Sequence, residues 1–203
     1  ECDALEEIVI PDTVTWIGQS AFEGCDVLET VTLPEGLETI RYYAFMNCPQ
    51  LKNITIPKNV TFADTILQGS GLEKIIFEAG RTKIPDGICR NCDTLINIVI
   101  PNTVTEIGQF VFWDCDALQE ITLPESITVI GQDAFGDCDA LNIVVLPEHV
   151  QTIEDGAFYS CPNLKTITIP KSVTDAYQII SNSGVTEVVF EEGMTKIPDN
   201  ICY

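Results

Sequence analysis

The sequence predicts a single repeat protein of the α/β class, a solenoid in which each turn contributes extended strands and a short helical turn. Three observations predict it. Cysteine recurs at a fixed spacing, leucine recurs with it, and an alternating apolar pattern that ends in proline follows each leucine. A fixed period of about 20–50 residues is typical of solenoids and related arrays. We therefore expect a stack of similar turns in which each turn packs mainly against its neighbours.

The cysteine spacing defines the length of a turn. Five of the eight intervals between successive cysteines are identical, and the interval from Cys25 to Cys48 is one of them. An apolar position recurs along with the cysteines, from Leu5 to Val185, and its successive members are separated by the same interval or a slightly shorter one. The recurrence of this apolar position along the whole chain predicts one domain, residues 1–203, with about nine turns. The nine cysteines are Cys2, Cys25, Cys48, Cys89, Cys92, Cys115, Cys138, Cys161 and Cys202.

Residues 115–138 illustrate the elements of a full turn in chain order. Apolar and polar residues alternate from Leu118 to Leu123, which predicts a strand with one face buried. Pro124 ends that strand, because proline has no N–H to continue the ladder. Residues 127–131 predict a shorter extended piece that turns at glycine. Residues 134–138, Ala-Phe-x-x-Cys, then predict a single helical or 3₁₀ turn with its alanine, phenylalanine and cysteine buried.

A longer repeat is superimposed on the turns. Residues 51–89 match residues 164–202, so that five turns form a super-repeat. One shorter turn in each copy, 51–71 and 164–184, lacks the Ala-Phe-x-x-Cys segment. Where the next strand ends, Glu78 and Glu191 replace the usual proline. These departures affect the expected local curvature and leave the predicted fold unchanged.

Composition excludes several classes of function. The chain has 31 Asp and Glu against 10 Lys and Arg, a net charge of -21, which argues against nucleic acid or anionic lipid as the main partner. Because 45% of the residues are hydrophobic, a packed core is expected. The sequence has neither an apolar run long enough to span a membrane nor the features of a signal peptide at its start. We expect the chain to be a fragment of a longer protein.

The repeat motif resembles that of the BspA-like (Treponema pallidum-type) leucine-rich repeat, C-x-x-L-x-x-I-x-I-P followed by I-x-x-x-A-F. The resemblance covers essentially the whole chain, because seven turns carry the strand and proline motif. It implies a right-handed horseshoe or arc with a parallel sheet on the concave side. Members resemble cell-surface or secreted proteins that bind host or microbial proteins. The resemblance transfers no catalytic residue, since the motif consists of core positions.

The outer face of the predicted sheet offers one candidate recognition surface. Two columns of side chains are expected to point outward, one at Glu7, Thr30, Asn53, Lys74, Asn97, Glu120, Ile143, Thr166 and Glu187, the other at Val9, Thr32, Thr55, Ile76, Val99, Thr122, Val145, Thr168 and Val189. The second column is β-branched throughout, which strand propensity alone explains. Neither column contains Trp, Tyr or Arg, the usual anchors of protein interfaces.

Aromatic residues near the Ala-Phe-x-x-Cys segment are the preferred binding candidates: Tyr42, Tyr43, Phe110, Trp113 and Tyr159. Phe110 and Trp113 are close in sequence and are expected to share one face of a short turn. Trp113 also shares a column with Arg90, one turn earlier, so a cation–π contact between them is expected. The alternative is that these rings only cover the core on the convex side.

The cysteines and acidic residues favour structural roles over chemistry. The cysteines of the ladder are expected to be buried free thiols, and Cys89-x-x-Cys92 lacks the further ligands of a zinc site. The pairs Asp114/Asp116 and Asp137/Asp139 supply oxygen ligands of the kind calcium prefers, but capping of turns explains them more simply. His149 is the sole histidine. We therefore predict no enzyme, no cofactor and no metal site.

Two functions remain open from the sequence. The first is a non-catalytic recognition or adhesion module of a cell-surface or secreted bacterial protein. Its ligand would be another protein, and basic host or microbial proteins are candidates. The second is a structural spacer or stalk that presents other domains. Neither nucleic acid nor membrane insertion within this segment is expected.

Overall fold

The computed structural model describes Cys2 and residues 4–202, which form a solenoid of about eight stacked turns. Every strand pairing in it is parallel, as a helical stack of similar turns requires. The sixteen strands are β1 (Glu7–Val9), β2 (Trp16–Ile17), β3 (Thr30–Thr32), β4 (Thr39–Ile40), β5 (Asn53–Ile56), β6 (Lys74–Phe77), β7 (Lys83–Ile84), β8 (Asn97–Val99), β9 (Glu106–Ile107), β10 (Glu120–Thr122), β11 (Val129–Ile130), β12 (Ile143–Val145), β13 (Thr152–Ile153), β14 (Thr166–Ile169), β15 (Asp175–Ala176) and β16 (Glu187–Phe190).

The longer strands form the first column, which contains β1, β3, β5, β6, β8, β10, β12, β14 and β16. Its register matches the predicted outward columns, since Glu7 pairs with Thr30 and Val9 with Thr32. The burial pattern of β3 is exposed, buried, exposed, because alternate side chains of a strand point to opposite faces. Val9, which is 65% exposed, shows that β-branched side chains of this face meet solvent.

The two-residue strands form the second column, which contains β2, β4, β7, β9, β11, β13 and β15. Five of them, β7, β9, β11, β13 and β15, make one continuous sheet in which Ile107, Ile130 and Ile153 point into the core. At the other end of this column, Trp16 is 58% exposed on the outer face. In these turns the shorter piece predicted to be extended, such as residues 127–131, therefore forms a strand that pairs with its neighbours.

The third side of each turn is built from consecutive tight turns. The described residues contain no helix, so the predicted helical or 3₁₀ turn at the Ala-Phe-x-x-Cys segment stays unconfirmed. The Met46 N–H donates to the Tyr43 carbonyl at 3.1 Å, while the Phe22 N–H donates to Ala44 of the next turn at 2.8 Å. Positions of this side adopt left-handed backbone conformations, as at Phe110 (φ 55°) and Asp114 (φ 58°). Such residues interrupt a helix while leaving N–H groups free to bond the next turn.

The core runs continuously through the stack, from Ile8 to Ile201. Its phenylalanines stack on each other, with ring centroids 5.2 Å apart for Phe112 and Phe135 and 5.5 Å apart for Phe135 and Phe158. All nine cysteines are free thiols, and seven of them are buried. The predicted burial of the cysteines thus holds for all of them except Cys2 in the first turn and Cys202 in the last, which are exposed.

The two short turns have the same local structure, which explains why glutamate replaces proline at the end of the strand that follows each of them. The backbone N–H of Glu78 donates to Ile56 at 3.0 Å, and that of Glu191 donates to Ile169 at the same distance. Proline has no N–H for this bond. The Glu191 carboxylate also accepts a hydrogen bond from the Lys171 N–H at 2.9 Å. The glutamate therefore continues the ladder by one bond and ties its turn to the preceding one.

Candidate functional site

Aromatic side chains from successive turns meet on the third side of the solenoid. Trp113 lies edge-on to Phe110, with ring centroids 5.9 Å apart, and stacks on Tyr159 at 6.1 Å with an interplanar angle of 12°. The Arg90 guanidinium lies 5.3 Å from the Phe110 ring centroid. All four side chains are partly exposed. We call Arg90, Phe110, Trp113 and Tyr159 the aromatic ridge.

A glycine in the turn between them allows Trp113 and Tyr159 to stack. Gly136 occupies the same place in its turn as Trp113 does in the preceding turn and Tyr159 in the following one. A Cβ atom at Gly136 would lie 2.5 Å from Cζ3 of Trp113. The indole therefore lies over the glycine and reaches a partner two turns away. The Tyr159 hydroxyl accepts a hydrogen bond from Asn182 Nδ2 at 3.0 Å, which extends the row by one further turn.

The prediction that Arg90 makes a cation–π contact with Trp113 is wrong, because Arg90 contacts a different ring. The guanidinium lies over Phe110, and the Phe110 ring in turn contacts Trp113. The prediction that Phe110 and Trp113 share a face is confirmed, although the segment forms turns without a helix.

Tyr42 and Tyr43 belong to a second aromatic cluster nearer the start of the chain. Their ring centroids are 6.3 Å apart, and Tyr42 meets Phe62 edge-on at 5.4 Å. The Arg41 guanidinium lies 5.5 Å from the Tyr42 centroid and 5.2 Å from that of Phe62. The five residues predicted as one binding set are therefore divided between two clusters, and in this second cluster the chain supplies its own cation.

A cleft of about 380 Å³ opens beside the aromatic ridge, lined by Trp113, Asp133, Asp155, Gly156, Tyr159, Gln178 and Ser181. Trp113 and Tyr159 form its aromatic wall, and two carboxylates from adjacent turns line the same space. A Cβ atom at Gly156 would overlap Asp133 Oδ1, so the missing side chain makes room for this carboxylate. The cleft thus combines a flat apolar surface with concentrated negative charge.

Burial and neighbouring carboxylates raise the pKa of Asp133. Loss of solvation is the largest cause, and the charges of Asp155 and Asp137 add to it, while a hydrogen bond from Gln132 and the charge of Arg90 act in the opposite direction. The Gln132 Nε2 group donates to Asp133 Oδ2 at 3.1 Å. The raised pKa means that the ionised form of Asp133 is less favourable here than in water, because burial removes solvation and the neighbouring carboxylates repel its charge. A cation that entered the cleft would relieve this repulsion.

The other residues considered for chemistry are not assembled into a site. His149 is exposed, and its Nδ1 lies 3.5 Å from a Glu125 carboxylate oxygen. The Cys92 and Cys115 thiols are buried and donate to backbone carbonyls, the second at 3.3 Å to Cys89. Within residues 4–202 and Cys2, no group of three or more His, Cys, Asp or Glu side chains is arranged to hold a metal ion. The same part of the chain contains no helix long and apolar enough to cross a membrane.

Sequence reasoning missed Phe62, Asp133, Gly136 and Asp155, although the signal for some of them was present. Alignment of the turns by period puts Arg90, Trp113, Gly136 and Tyr159 in one column. A glycine between two aromatic residues of a column predicts that they touch across it. Asp133 and Asp155 had no comparable signal, because acidic residues are frequent at the variable positions of the turns.

Comparison with known proteins decides the family. The model of the BspA type leucine-rich repeat region matches the chain in six copies, over residues 1–115 and 82–203. The chain belongs to this family. The BspA-type repeats account for the cysteine, leucine and proline spacing throughout the chain. None of the curated proteins compared with it matches.

Solved structures of bacterial leucine-rich repeat proteins share the fold. A protein from Bacteroides ovatus is 24% identical with a TM-score of 0.69, over 94% of this chain and 62% of that one. A leucine-rich cell surface protein from Faecalibacterium prausnitzii is 25% identical with a TM-score of 0.59, over 94% and 61%. The pneumococcal vaccine antigen PcpA is 24% identical with a TM-score of 0.60, over 96% and 53%. The BspA-type chain therefore spans about three fifths of the length of the first two and about half of the third.

Proposed function

We propose that the chain is a non-catalytic protein-recognition module of a cell-surface or secreted protein, and that the aromatic ridge is its main binding surface. The observation that carries the proposal is the contact row of Arg90, Phe110, Trp113 and Tyr159. Trp, Tyr and Arg are the residues most enriched in the energetic centres of interfaces. Their side chains are already held in place by mutual contacts, so little conformational entropy would be lost on binding.

The charge of the module favours a basic partner. A net charge of -21 attracts positively charged surfaces over a distance and increases the rate of encounter at low salt. The cell-surface location is supported by the F. prausnitzii relative, which is a leucine-rich cell surface protein, and the bacterial origin of the solved relatives agrees with it. Tyr42 and Tyr43 are candidates for a second, smaller contact.

The alternative function is a structural spacer that presents other domains. The uninterrupted core from Ile8 to Ile201 supports it, because a continuous stack of turns resists bending between its ends. A spacer needs no anchor residues on its surface. The two functions therefore differ in whether the ridge residues contribute to the affinity for a protein ligand.

An immobilised sample of the chain, tested against an array of purified secreted and surface proteins, separates these functions. We expect ligands with micromolar affinity whose binding weakens at least ten-fold in the double variant Trp113→Ala/Tyr159→Ala. Trp16→Ala is the matched control, since it removes an exposed tryptophan from a different face, and it should change affinity less than two-fold. Thermal unfolding confirms that each variant is folded. If the ligands bind the double variant as tightly as the wild type, the aromatic ridge is not the binding surface. If no protein of the array binds, the spacer function is favoured.

A further inference from the structure

The chain itself shows how its aromatic clusters accommodate a guanidinium group. In the second cluster, Arg41 lies 5.5 Å from the Tyr42 centroid. At one end of the ridge, Arg90 lies 5.3 Å from the Phe110 centroid and its charge acts on Asp133. Arginine over an aromatic ring is thus a recurrent arrangement on this side of the solenoid. Such cation–π contacts are more favourable still where the ring is partly shielded from water.

At the other end of the ridge, the rings of Trp113 and Tyr159 lie beside carboxylates and have no cation from Cys2 or residues 4–202 over them. Among the described residues, no Arg or Lys side chain lies over the ring of Trp113 or Tyr159. Asp133 and Asp155 line the cleft beside these rings, and neither takes part in an ion pair within the described part of the chain. The volume of about 380 Å³ lies at the lower end of the ~300–1,000 Å³ range of ligand pockets. It suits one side chain better than a larger ligand.

We propose that this cleft binds the guanidinium group of an arginine side chain presented by a partner protein. The proposal rests on the recognition role proposed above and names the residue type that the ridge selects. The planar guanidinium stacks on the aromatic wall of Trp113 and Tyr159, and its N–H groups donate to the carboxylates of Asp133 and Asp155. A lysine ammonium has no flat face for stacking and binds as a compact, strongly hydrated charge, so it fits the cleft less well.

The chain offers a direct reporter of this cleft. It contains two tryptophans, Trp16 and Trp113, and they lie on different sides of the solenoid. In a Trp16→Phe background the indole N–H of Trp113 gives the single indole signal in a nitrogen–proton NMR spectrum. The probe is N-acetyl-arginine amide, which carries one positive charge and so avoids the unspecific attraction of a polycation to a chain of charge -21. N-acetyl-lysine amide and N-acetyl-citrulline amide serve as the ammonium and the uncharged comparison.

The arginine probe should shift the Trp113 signal saturably with a dissociation constant in the millimolar range. The lysine probe should bind at least three-fold more weakly, and the citrulline probe should give no saturable shift. In Asp133→Asn/Asp155→Asn the affinity for the arginine probe should fall at least ten-fold. Glu6→Gln/Glu29→Gln, which removes two exposed charges from neighbouring turns elsewhere, should change it less than two-fold.

Other results overturn the proposal. Equal binding of the arginine and citrulline probes, equal losses in the two double variants, or no saturable shift would each show that the cleft does not select a guanidinium group. This outcome is distinguishable from failure of the recognition role. Ridge variants could lose a protein ligand while the arginine probe leaves Trp113 unaffected, or the probe could bind while ridge variants keep every protein ligand.

Discussion

Arg81 is an isolated positive charge within the core region. It is 4% exposed, its Nη2 group donates to the carbonyl oxygens of Pro57 and Val60, and its guanidinium lies 5.4 Å from the Phe77 centroid. Its buried Nε and Nη1 atoms have no hydrogen-bond partner among the described residues. Burial lowers the pKa of Arg81 to about 10, and the charge of Glu78 opposes this only in part. A buried charge without a close counterion is costly to the folded state.

The second copy of the super-repeat suggests the variant that tests this cost. The position equivalent to Arg81 in that copy is Met194, whose side chain packs against the core. We predict that Arg81→Met raises the free energy of unfolding by about 1 kcal/mol, because an apolar side chain replaces a poorly bonded buried charge. The measurement is urea unfolding. Lys196→Met controls for the loss of one exposed positive charge and should have little effect. A lower stability of Arg81→Met would mean that its bonds to Pro57 and Val60 outweigh the desolvation cost.

In the tight-turn segment of the third side, one glycine leaves space that a neighbouring side chain occupies. Gly136 provides the gap through which Trp113 reaches Tyr159, and a Cβ atom there would lie 2.5 Å from the indole. The backbone of Gly136 is outside the left-handed region, so alanine is compatible with its conformation. Alanine therefore tests the space above the glycine separately from the backbone.

We predict that Gly136→Ala displaces the indole, breaks the Trp113–Tyr159 stack and lowers stability by about 1–3 kcal/mol through overpacking. The change of the Trp113 environment is measured by fluorescence in a Trp16→Phe background, and stability by thermal unfolding. Gly36→Ala is the matched control, because its nearest atom, the Asp12 carbonyl oxygen, lies at an ordinary 3.5 Å. It should be neutral or slightly stabilising. Unchanged fluorescence in Gly136→Ala would show that the stack does not need the gap.

The cysteine ladder connects the turns through weak hydrogen bonds within the core. Its thiols donate to carbonyls of the preceding turn, as Cys138 does to Phe112 and Cys161 to Phe135, both at 3.1 Å. The thiol thus satisfies a buried acceptor on the third side, where the tight turns leave carbonyls partly unbonded. This contact gives the thiol a role in the turn beyond filling space in the core.

At the scale of the whole molecule, the buried cysteine thiols should make the folded state less stable at alkaline pH. Burial raises the pKa of Cys161 to about 12 and that of Cys48 to about 11, from an ordinary value of 9.0. Below pH 9 the thiols are protonated in both states, and their contribution to stability is fully present. As the pH rises above 9, the unfolded thiols ionise while the folded ones stay protonated, so this stability is lost progressively towards pH 11–12.

We predict that the free energy of unfolding falls above pH 9, by up to about 1.4 kcal/mol per pH unit for each buried thiol. Cys161→Ser keeps a donor and removes the ionisable thiol, so the pH dependence should become less steep. Cys202→Ser is the matched control, since Cys202 is exposed, and it should leave the slope as it is. Denaturant unfolding at pH 8, 9, 10 and 11 provides the comparison. Equal slopes for wild type and Cys161→Ser would assign the alkaline loss to other groups.

The repeat made most of the fold predictable. Each core position recurs once in every regular turn, so the equal spacing of Cys25 and Cys48 and of Leu118 and Leu141 already states which residues stack. The conformation of the third side was not predictable in the same way. Left-handed conformations at Phe110 and Asp114 accompany hydrogen bonds to neighbouring turns, and the local sequence alone does not report those bonds. The candidate site was predicted as a set of aromatic residues but not as a geometry.

The family, the parallel stacking, the inward and outward columns and the buried thiols all follow from the amino-acid sequence, because each of them is a consequence of the period that the turns repeat. Which of the variable side chains meet is known only from the three-dimensional arrangement of the turns. Trp113 reaches Tyr159 across Gly136, Arg90 lies over Phe110, and the cleft opens beside them. These contacts join residues of different turns at positions whose residue type varies from turn to turn. The period supplies the column in which Trp113, Gly136 and Tyr159 stand, whereas the size and direction of the side chains decide which of them touch.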